Sequence, residues 1–534
     1  MRIILIVGIL LWNAFFVSAQ VWQPDLGNGY YQNPIIHADY SDPDIVRVGE
    51  DFYMTASSFN CSPGLPILHS KDLIHWEIVN YAFDRQLPDT TFSTPQHGNG
   101  VWAPAIRYHD GFYYIFYGDP DFGIYMTKTA EPKSDWSVPQ LIAEAKGWID
   151  PCPLWDEDGK AYLVHAFAGS RASFKSVVVV HEMKPDGTGL IGDAVMVFDG
   201  HAKHPTIEGT KFYKRNGYYY IFAPAGGVAT GWQTVLRSKN IYGPYEDRVV
   251  LHQGETAING PHQGGWVELE NGEYWFLHFQ DKGAYGRIVH LQPMQWTADD
   301  WCIIGQDEDG DGIGEPVLKY KKPAIWADKT EVIPQMSDDF EQKTLGLQWQ
   351  WQSNPQPTWA YLTSWGSLRM NTVEFDDDFV NLWEAGNILA QKFPSEAFSV
   401  TTEMKYHIAE RKNPHEKAGL IVMGLDYAYI GFEQLDSQVY LVQVVCKDAE
   451  LGNAEYIINK ISFQNTSVFL RVKVSKGGVC QFYYSEDGKH YKRFGEEFIA
   501  REGKWIGAKV GLFAWRQSKT NDAGYVDFYD FNVE

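Results

Sequence analysis

The chain has 534 residues, too many for one ordinary hydrophobic core and enough for two or three domains. A formal net charge of −23 argues against nucleic acid, anionic membrane surfaces and acidic polymers such as polygalacturonate as partners, and leaves neutral polymers open. Aromatic residues make up 15%, with 20 Trp, 31 Tyr and 30 Phe, a content that suits β-strands and whose flat faces also suit sugar rings.

The N-terminus opens with Met1-Arg2, an apolar run from Ile3 to Val17, and the small-x-small triplet Val17-Ser18-Ala19. This is the pattern of a cleavable export signal over residues 1–19, with cleavage after Ala19. No Cys follows the run, which argues against a lipid anchor, and no later stretch approaches the ~18 apolar residues of a membrane span. The mature chain is expected to be exported, either periplasmic or secreted, with no membrane anchor. Its five cysteines (Cys61, Cys152, Cys302, Cys446, Cys480) are few and odd in number for an exported protein, and none has zinc-site spacing. Cys446 and Cys480 are open either to pairing or to being two buried thiols.

Residues 20–323 carry a phrase that recurs five times, a glycine turn leading into an aromatic strand. The copies are Gly49-Glu50-Asp51-Phe52-Tyr53, Asp110-Gly111-Phe112-Tyr113-Tyr114, Asp158-Gly159-Lys160-Ala161-Tyr162, Asn216-Gly217-Tyr218-Tyr219-Tyr220 and Asn271-Gly272-Glu273-Tyr274-Trp275. Their spacing of roughly 50 to 60 residues suits one β-propeller blade per copy. Secondary echoes at Ser70–Trp76, Pro132–Trp136 and Ser238–Pro244 fall where the third strand of a blade would turn into its outer strand. A linker is expected over 324–336. The remaining residues, 337–534, lack the repeat and alternate apolar with polar side chains, as in Phe398-Ser399-Val400-Thr401-Thr402-Glu403-Met404. The expected fold is all-β, a five-bladed propeller followed by a jelly-roll-like β-sandwich.

About ten to twelve residues before the aromatic pair stand Asp42 in the first copy, Trp102 in the second, Asp150 in the third and Glu208 in the fourth. Equivalent positions in successive blades lie at equivalent places around one axis, so three acids and a tryptophan should converge on one pocket. Two carboxyls facing each other across a sugar are the minimal apparatus of glycosidic hydrolysis. One protonates the leaving oxygen, and the other activates water or attacks. A third nearby carboxylate raises the acid's pKa by like-charge repulsion and orients it.

These residues, with their surroundings, resemble glycoside hydrolase family 43. The matching stretches are Asn33-Pro34-Ile35, Ser41-Asp42-Pro43-Asp44-Ile45, Val101-Trp102-Ala103-Pro104, Ile149-Asp150-Pro151, Ile207-Glu208-Gly209 and His278 through Arg287. Leu345-Gly346-Leu347-Gln348-Trp349-Gln350-Trp351 and Ala418-Gly419-Leu420 extend the likeness to the sandwich of the family's xylosidase and arabinofuranosidase branch. The resemblance implies Asp42 as general base, Glu208 as general acid and Asp150 as the residue that tunes and orients the acid. It implies inversion at the anomeric carbon, with the base and acid roughly 6.5–9.5 Å apart. It further implies Arg287 as a sugar and carboxylate contact, Trp102 as a pocket wall, and His278 beside an axial calcium or other ion, with no cofactor required for the chemistry.

The expected substrate is a plant hemicellulose oligosaccharide, including xyloglucan fragments, from which non-reducing-end α-L-arabinofuranosyl units are removed. The alternatives are a β-xylosidase or an enzyme with both activities, a propeller that only binds carbohydrate, and a phosphorylase using His201, Lys203 and His204 as its anion site. Asp307-Glu308-Asp309-Gly310-Asp311-Gly312 imitates the start of a calcium loop but has Leu318 at the twelfth position, and reads as an acidic surface turn.

Overall fold

The glycines of the five repeats turn at positive φ: Gly49 at 62°, Gly111 at 81°, Gly159 at 83°, Gly217 at 73° and Gly272 at 82°. Glycine takes this conformation without the steric penalty of a side chain. Each turn carries the first strand of a blade into the second, and four sequential antiparallel strands make each of five sheets. The computed structural model describes residues 21–325, 332–374, 379–407, 415–435, 438–517 and 523–534. The export signal expected at 1–19 and residues 326–331 of the linker lie outside them.

The first strands of the blades are Asp44–Val48, Trp102–His109, Trp148–Trp155, Lys211–Arg215 and His262–Glu268. They lie side by side around the axis, and the fifth closes against the first. The echoes at Ser70–Trp76, Pro132–Trp136 and Ser238–Pro244 do join third strands to outer strands, for example Gly64–Ser70 to Glu77–Phe83. Closure is reinforced from the N-terminus, where Tyr30–Gln32 pairs antiparallel with Lys319–Lys321 beyond the last blade. Asn33 then ties into blade 5. Its Nδ2 donates to the carbonyls of Leu291 and Val317, both at 2.8 Å, and its Oδ1 accepts from Leu291 N–H at 2.8 Å.

The sandwich packs two eight-stranded sheets face to face. Strict alternation in Phe398–His407 turns Phe398, Val400, Thr402, Met404 and Tyr406 inward, as a period-two strand with one buried face must. All five cysteines are buried and free, so Cys446 and Cys480 are thiols and not a bridge.

Specific hydrogen bonds hold the two domains together. Asn354 of the sandwich accepts from Ser62 Oγ and Gln86 N–H, both at 2.8 Å, and donates to Gln86 O at 3.0 Å. Backbone pairing joins Ser62 to Trp351. The buried Asp39 carboxylate accepts from Arg287 N–H at 2.8 Å in the propeller and from Gly507 N–H at 3.0 Å in the sandwich. Such buried polar pairs are costly to leave half-made, so the seam specifies one relative placement of the domains.

Candidate active site

Where the chain enters its innermost strands, the backbone is bent. Asp42 (φ 55°), Ala103 (φ 32°), Asp150 (φ 59°) and Gln263 (φ 41°) all occupy the left-handed region, unfavourable for residues with a Cβ. Strand pairing is irregular at the same places, between Trp102 and Ala105, Ile149 and Cys152, and His262 and Gly264. A bulge of this kind re-aims side chains at the end of a strand, here toward the axis. The repeated strain positions the site.

The result is one cavity of about 540 Å³. Asp42, Asp150 and Glu208 line it, with Trp102 and Arg287, so the structure brings together five residues singled out in the sequence. Asp42 is held on both oxygens. Ser41 Oγ and Ser57 Oγ donate to Oδ2 at 2.7 and 2.6 Å, and Arg287 Nη1 lies 3.2 Å from Oδ1. Asp150 Oδ2 accepts from Gly209 N–H at 2.5 Å, and its carbonyl accepts from Thr210 Oγ1 at 2.6 Å. Gly209 is required at this approach. A Cβ there would lie 2.6 Å from Gln263 Cγ and 2.8 Å from Pro224 Cγ.

Burial and like charge raise the two acids opposite Asp42. Glu208 is pushed up to about 8, first by burial and then by the carboxylates of Asp150 and Asp42, with Arg287 and Lys175 opposing. Asp150 is raised to about 7 by burial, opposed by the Gly209 N–H and by Lys211. Burial and mutual repulsion both favour the protonated form, so the pair holds on to a proton that isolated carboxyls would lose near neutrality. One acid able to donate and one carboxylate able to accept therefore face the same space.

Several residues of the site are not among those singled out in the sequence. The same offset in the fifth repeat falls on His262 and Gln263. Gln263 lines the cavity, and His262 Nε2 lies 3.7 Å from Glu208 Oε1. His262 is wholly buried and held neutral, its value pushed down to about 3 by burial and by Arg287. Lys175 lines the cavity from the loop after blade 3's second strand. Trp505 comes from the sandwich and meets Trp102 edge-on, with ring centroids 6.3 Å apart. Its loop fits against Gly98, where a Cβ would come within 2.9 Å of the Trp505 ring and 2.4 Å of Lys504 Cγ. No repeat or spacing marks it.

The ion expected at His278 does not fit that residue. His278 is sealed in blade 5, with Nδ1 on Phe279 O at 3.0 Å and Nε2 on the Gln292 amide at 3.1 Å, so neither nitrogen is free to ligate. Asp307, Asp309 and Asp311 do converge, their ligand atoms lying within 4.8 Å of one another, but none of them lines the cavity. The cations considered for a phosphate site are engaged elsewhere. His201 pairs with Asp199, and Lys203 and His204 pair with Asp247.

Comparison with known proteins agrees with this geometry. The family model described as glycosyl hydrolases family 43 matches residues 31–302, and that of a β-xylosidase C-terminal concanavalin A-like domain matches residues 337–534. The chain is 39% identical to a putative β-xylosidase of Xylanibacter ruminicola, over 93% of this chain and 88% of that one. It is 28% identical to a non-reducing end α-L-arabinofuranosidase of Bacteroides ovatus, over 94% of each chain. The crystal structure of a xylan β-1,4-xylosidase from Bacillus halodurans superposes with a TM-score of 0.82 at 25% identity, covering 94% of this chain and 99% of that one.

Proposed function

This chain belongs to glycosyl hydrolase family 43, and on that premise we propose that it is an exo-acting, inverting glycosidase removing single pentose units, foremost β-D-xylosyl units, from the non-reducing ends of hemicellulose oligosaccharides. The observation that carries this reading is the convergence of Asp42, Asp150 and Glu208 on one cavity that Trp505 of the second domain helps to wall. A cavity narrowed in this way suits a chain end better than the middle of a polymer. The preference for xylose rests on the 39% relative named a putative β-xylosidase. The 28% relative named an arabinofuranosidase supports a second reading, α-L-arabinofuranosyl removal, including from xyloglucan fragments. The Met1–Ala19 pattern supports export to the periplasm or beyond.

In this mechanism Glu208, protonated at neutral pH, gives its proton to the glycosidic oxygen as the bond from that oxygen to the anomeric carbon breaks. A water on the opposite face forms the new bond to that carbon while losing a proton to Asp42. The configuration inverts, and Asp42 leaves protonated and Glu208 ionised until solvent resets them. Ser41, Ser57 and Arg287 hold Asp42 in place for the water. Asp150 keeps the proton on Glu208 by repulsion.

Hydrolysis of 4-nitrophenyl β-D-xyloside and α-L-arabinofuranoside, each against an Asp42→Ala control, tests the reading. Xylose release that exceeds arabinose release and vanishes in the variant is the expected result. The opposite ratio makes the second reading correct, and turnover of neither glycoside overturns both. Proton NMR of the first-formed sugar should show the anomer opposite to the substrate's.

A further inference from the structure

The axis of the propeller holds more buried charge than hydrolysis uses, and the charges sort into pairs. Asp42 has Arg287, 3.2 Å away. Asp44, wholly buried and outside the cavity, has Arg107 at 2.6 Å. Asp150 forms no salt bridge among the described residues, and its carboxylate receives only the Gly209 N–H. Among the described residues of these strands one buried cation is left over. Lys211 is wholly buried, and its Nζ has no hydrogen-bond partner among the described residues.

The chain puts this cation and Asp150 together. Lys211 begins the first strand of blade 4, beside the first strand of blade 3. The two residues before it, Gly209 and Thr210, are bonded to Asp150, and the residue after it, Phe212, donates its N–H to Cys152 Sγ at 3.2 Å. Lys211 therefore stands between two contacts with the strand that carries Asp150. Among the charged groups acting on Asp150 are Lys211, Asp42 and Arg287, and Asp150 in turn acts on Glu208. On the other side, Lys211 acts on Cys152, which also feels Arg107 and Asp44. Asp44 and Asp42 already have arginines, and the cations acting on Glu208 are Arg287 and Lys175, so Asp150 is the carboxylate that the lysine answers. A buried ammonium without a counter-charge is heavily penalised, as is a buried lone carboxylate, and each removes the other's penalty.

We propose that Lys211 is a positioning residue of this active site, an ammonium sealed behind the pocket that serves as the counter-charge of Asp150 and so keeps the single proton of the carboxyl pair on Glu208. This rests on the roles assigned above to Glu208 and Asp150. It explains why Lys211 sits wholly buried within the fold rather than on the surface where lysines normally lie. Without the lysine, Asp150 would compete for the proton and Glu208 would reach the substrate ionised.

Carbon-13 NMR of protein labelled at the aspartate carboxyls, without substrate, reads the proposal directly, with the Asp150 resonance identified by its loss in Asp150→Asn. In a folded Lys211→Met protein the Asp150 midpoint should rise by roughly one to three pH units, as expected on losing a nearby opposite charge. An unchanged midpoint overturns the proposal. The isosteric Asp150→Asn protein supplies the reciprocal measurement should Lys211→Met fail to fold. The nitrogen-15 chemical shift of the Lys211 side chain, read at one fixed pH, should differ there from that of the unaltered protein, and an identical shift refutes the pairing. In kinetics, Lys211→Met should lower kcat about tenfold or more in the native background and have no further effect in the Asp150→Asn background. Equal losses in both backgrounds would mark a merely structural lysine. Because the titrations need no substrate, an inactive protein would count against the glycosidase reading without deciding the role of Lys211.

Discussion

The two domains contribute to one pocket by different means. The propeller uses repetition. The same bent entrance to an innermost strand recurs from blade to blade, and its register delivers Asp42, Trp102, Asp150 and Gln263 to one axis. The sandwich uses docking. Its Trp505 reaches the pocket only because Asp39, Asn354 and Gly98 set the seam between the domains. A repeat places chemistry cheaply and tolerates change at any one copy's surface. A docked residue depends on every contact of the interface that carries it. The propeller should accordingly hold the bond-making groups and the sandwich the fit of the substrate.

The largest test of that division is Glu208→Gln. It should lower kcat by about 10²–10⁴ on xylobiose and much less on the 4-nitrophenyl glycoside, whose leaving group scarcely needs a proton. Equal losses on both substrates would remove Glu208 from the acid's role. Next comes Asp150→Asn, with an expected loss of about 10² in kcat from a misplaced acid. The acid works only while protonated, so kcat/KM falls as pH rises through the Glu208 value of about 8. Removing the Asp150 charge lowers that value, and the alkaline limb of the profile should move to lower pH. A limb that stays put or moves up contradicts the like-charge account. The smallest effect belongs to the sandwich. Trp505→Ala should raise KM and lower kcat/KM by about tenfold, the scale of one lost aromatic contact, while leaving the pH profile in place. A collapse of kcat instead would show that the second domain takes part in the chemistry.

Much of this was legible in the linear chain, and the particular residues show why. The five glycine turns identify the blades because each must adopt a positive φ at the same point of the same motif. Asp42, Asp150 and Glu208 follow from counting back about ten to twelve residues from the aromatic pair of each copy. The same count in the fifth copy leads to His262 and Gln263, whereas His278, taken from the resemblance, lies a strand away with both nitrogens occupied. The alternation of Phe398–His407 likewise declares a strand with one buried face before any neighbour is known.

Local pattern thus determined what repeats: turns, strand faces, blade register and the three acids, because each depends on the conformation of a few adjacent residues. Tertiary structure alone decided what is shared between distant segments. It brought Trp505 beside Trp102, and it set the strand that begins at Lys211 against the strand that carries Asp150. The raised proton affinity of Glu208 belongs to that second class as well. A carboxyl's affinity for its proton follows from burial and from the charges around it, and both exist only once the blades have closed.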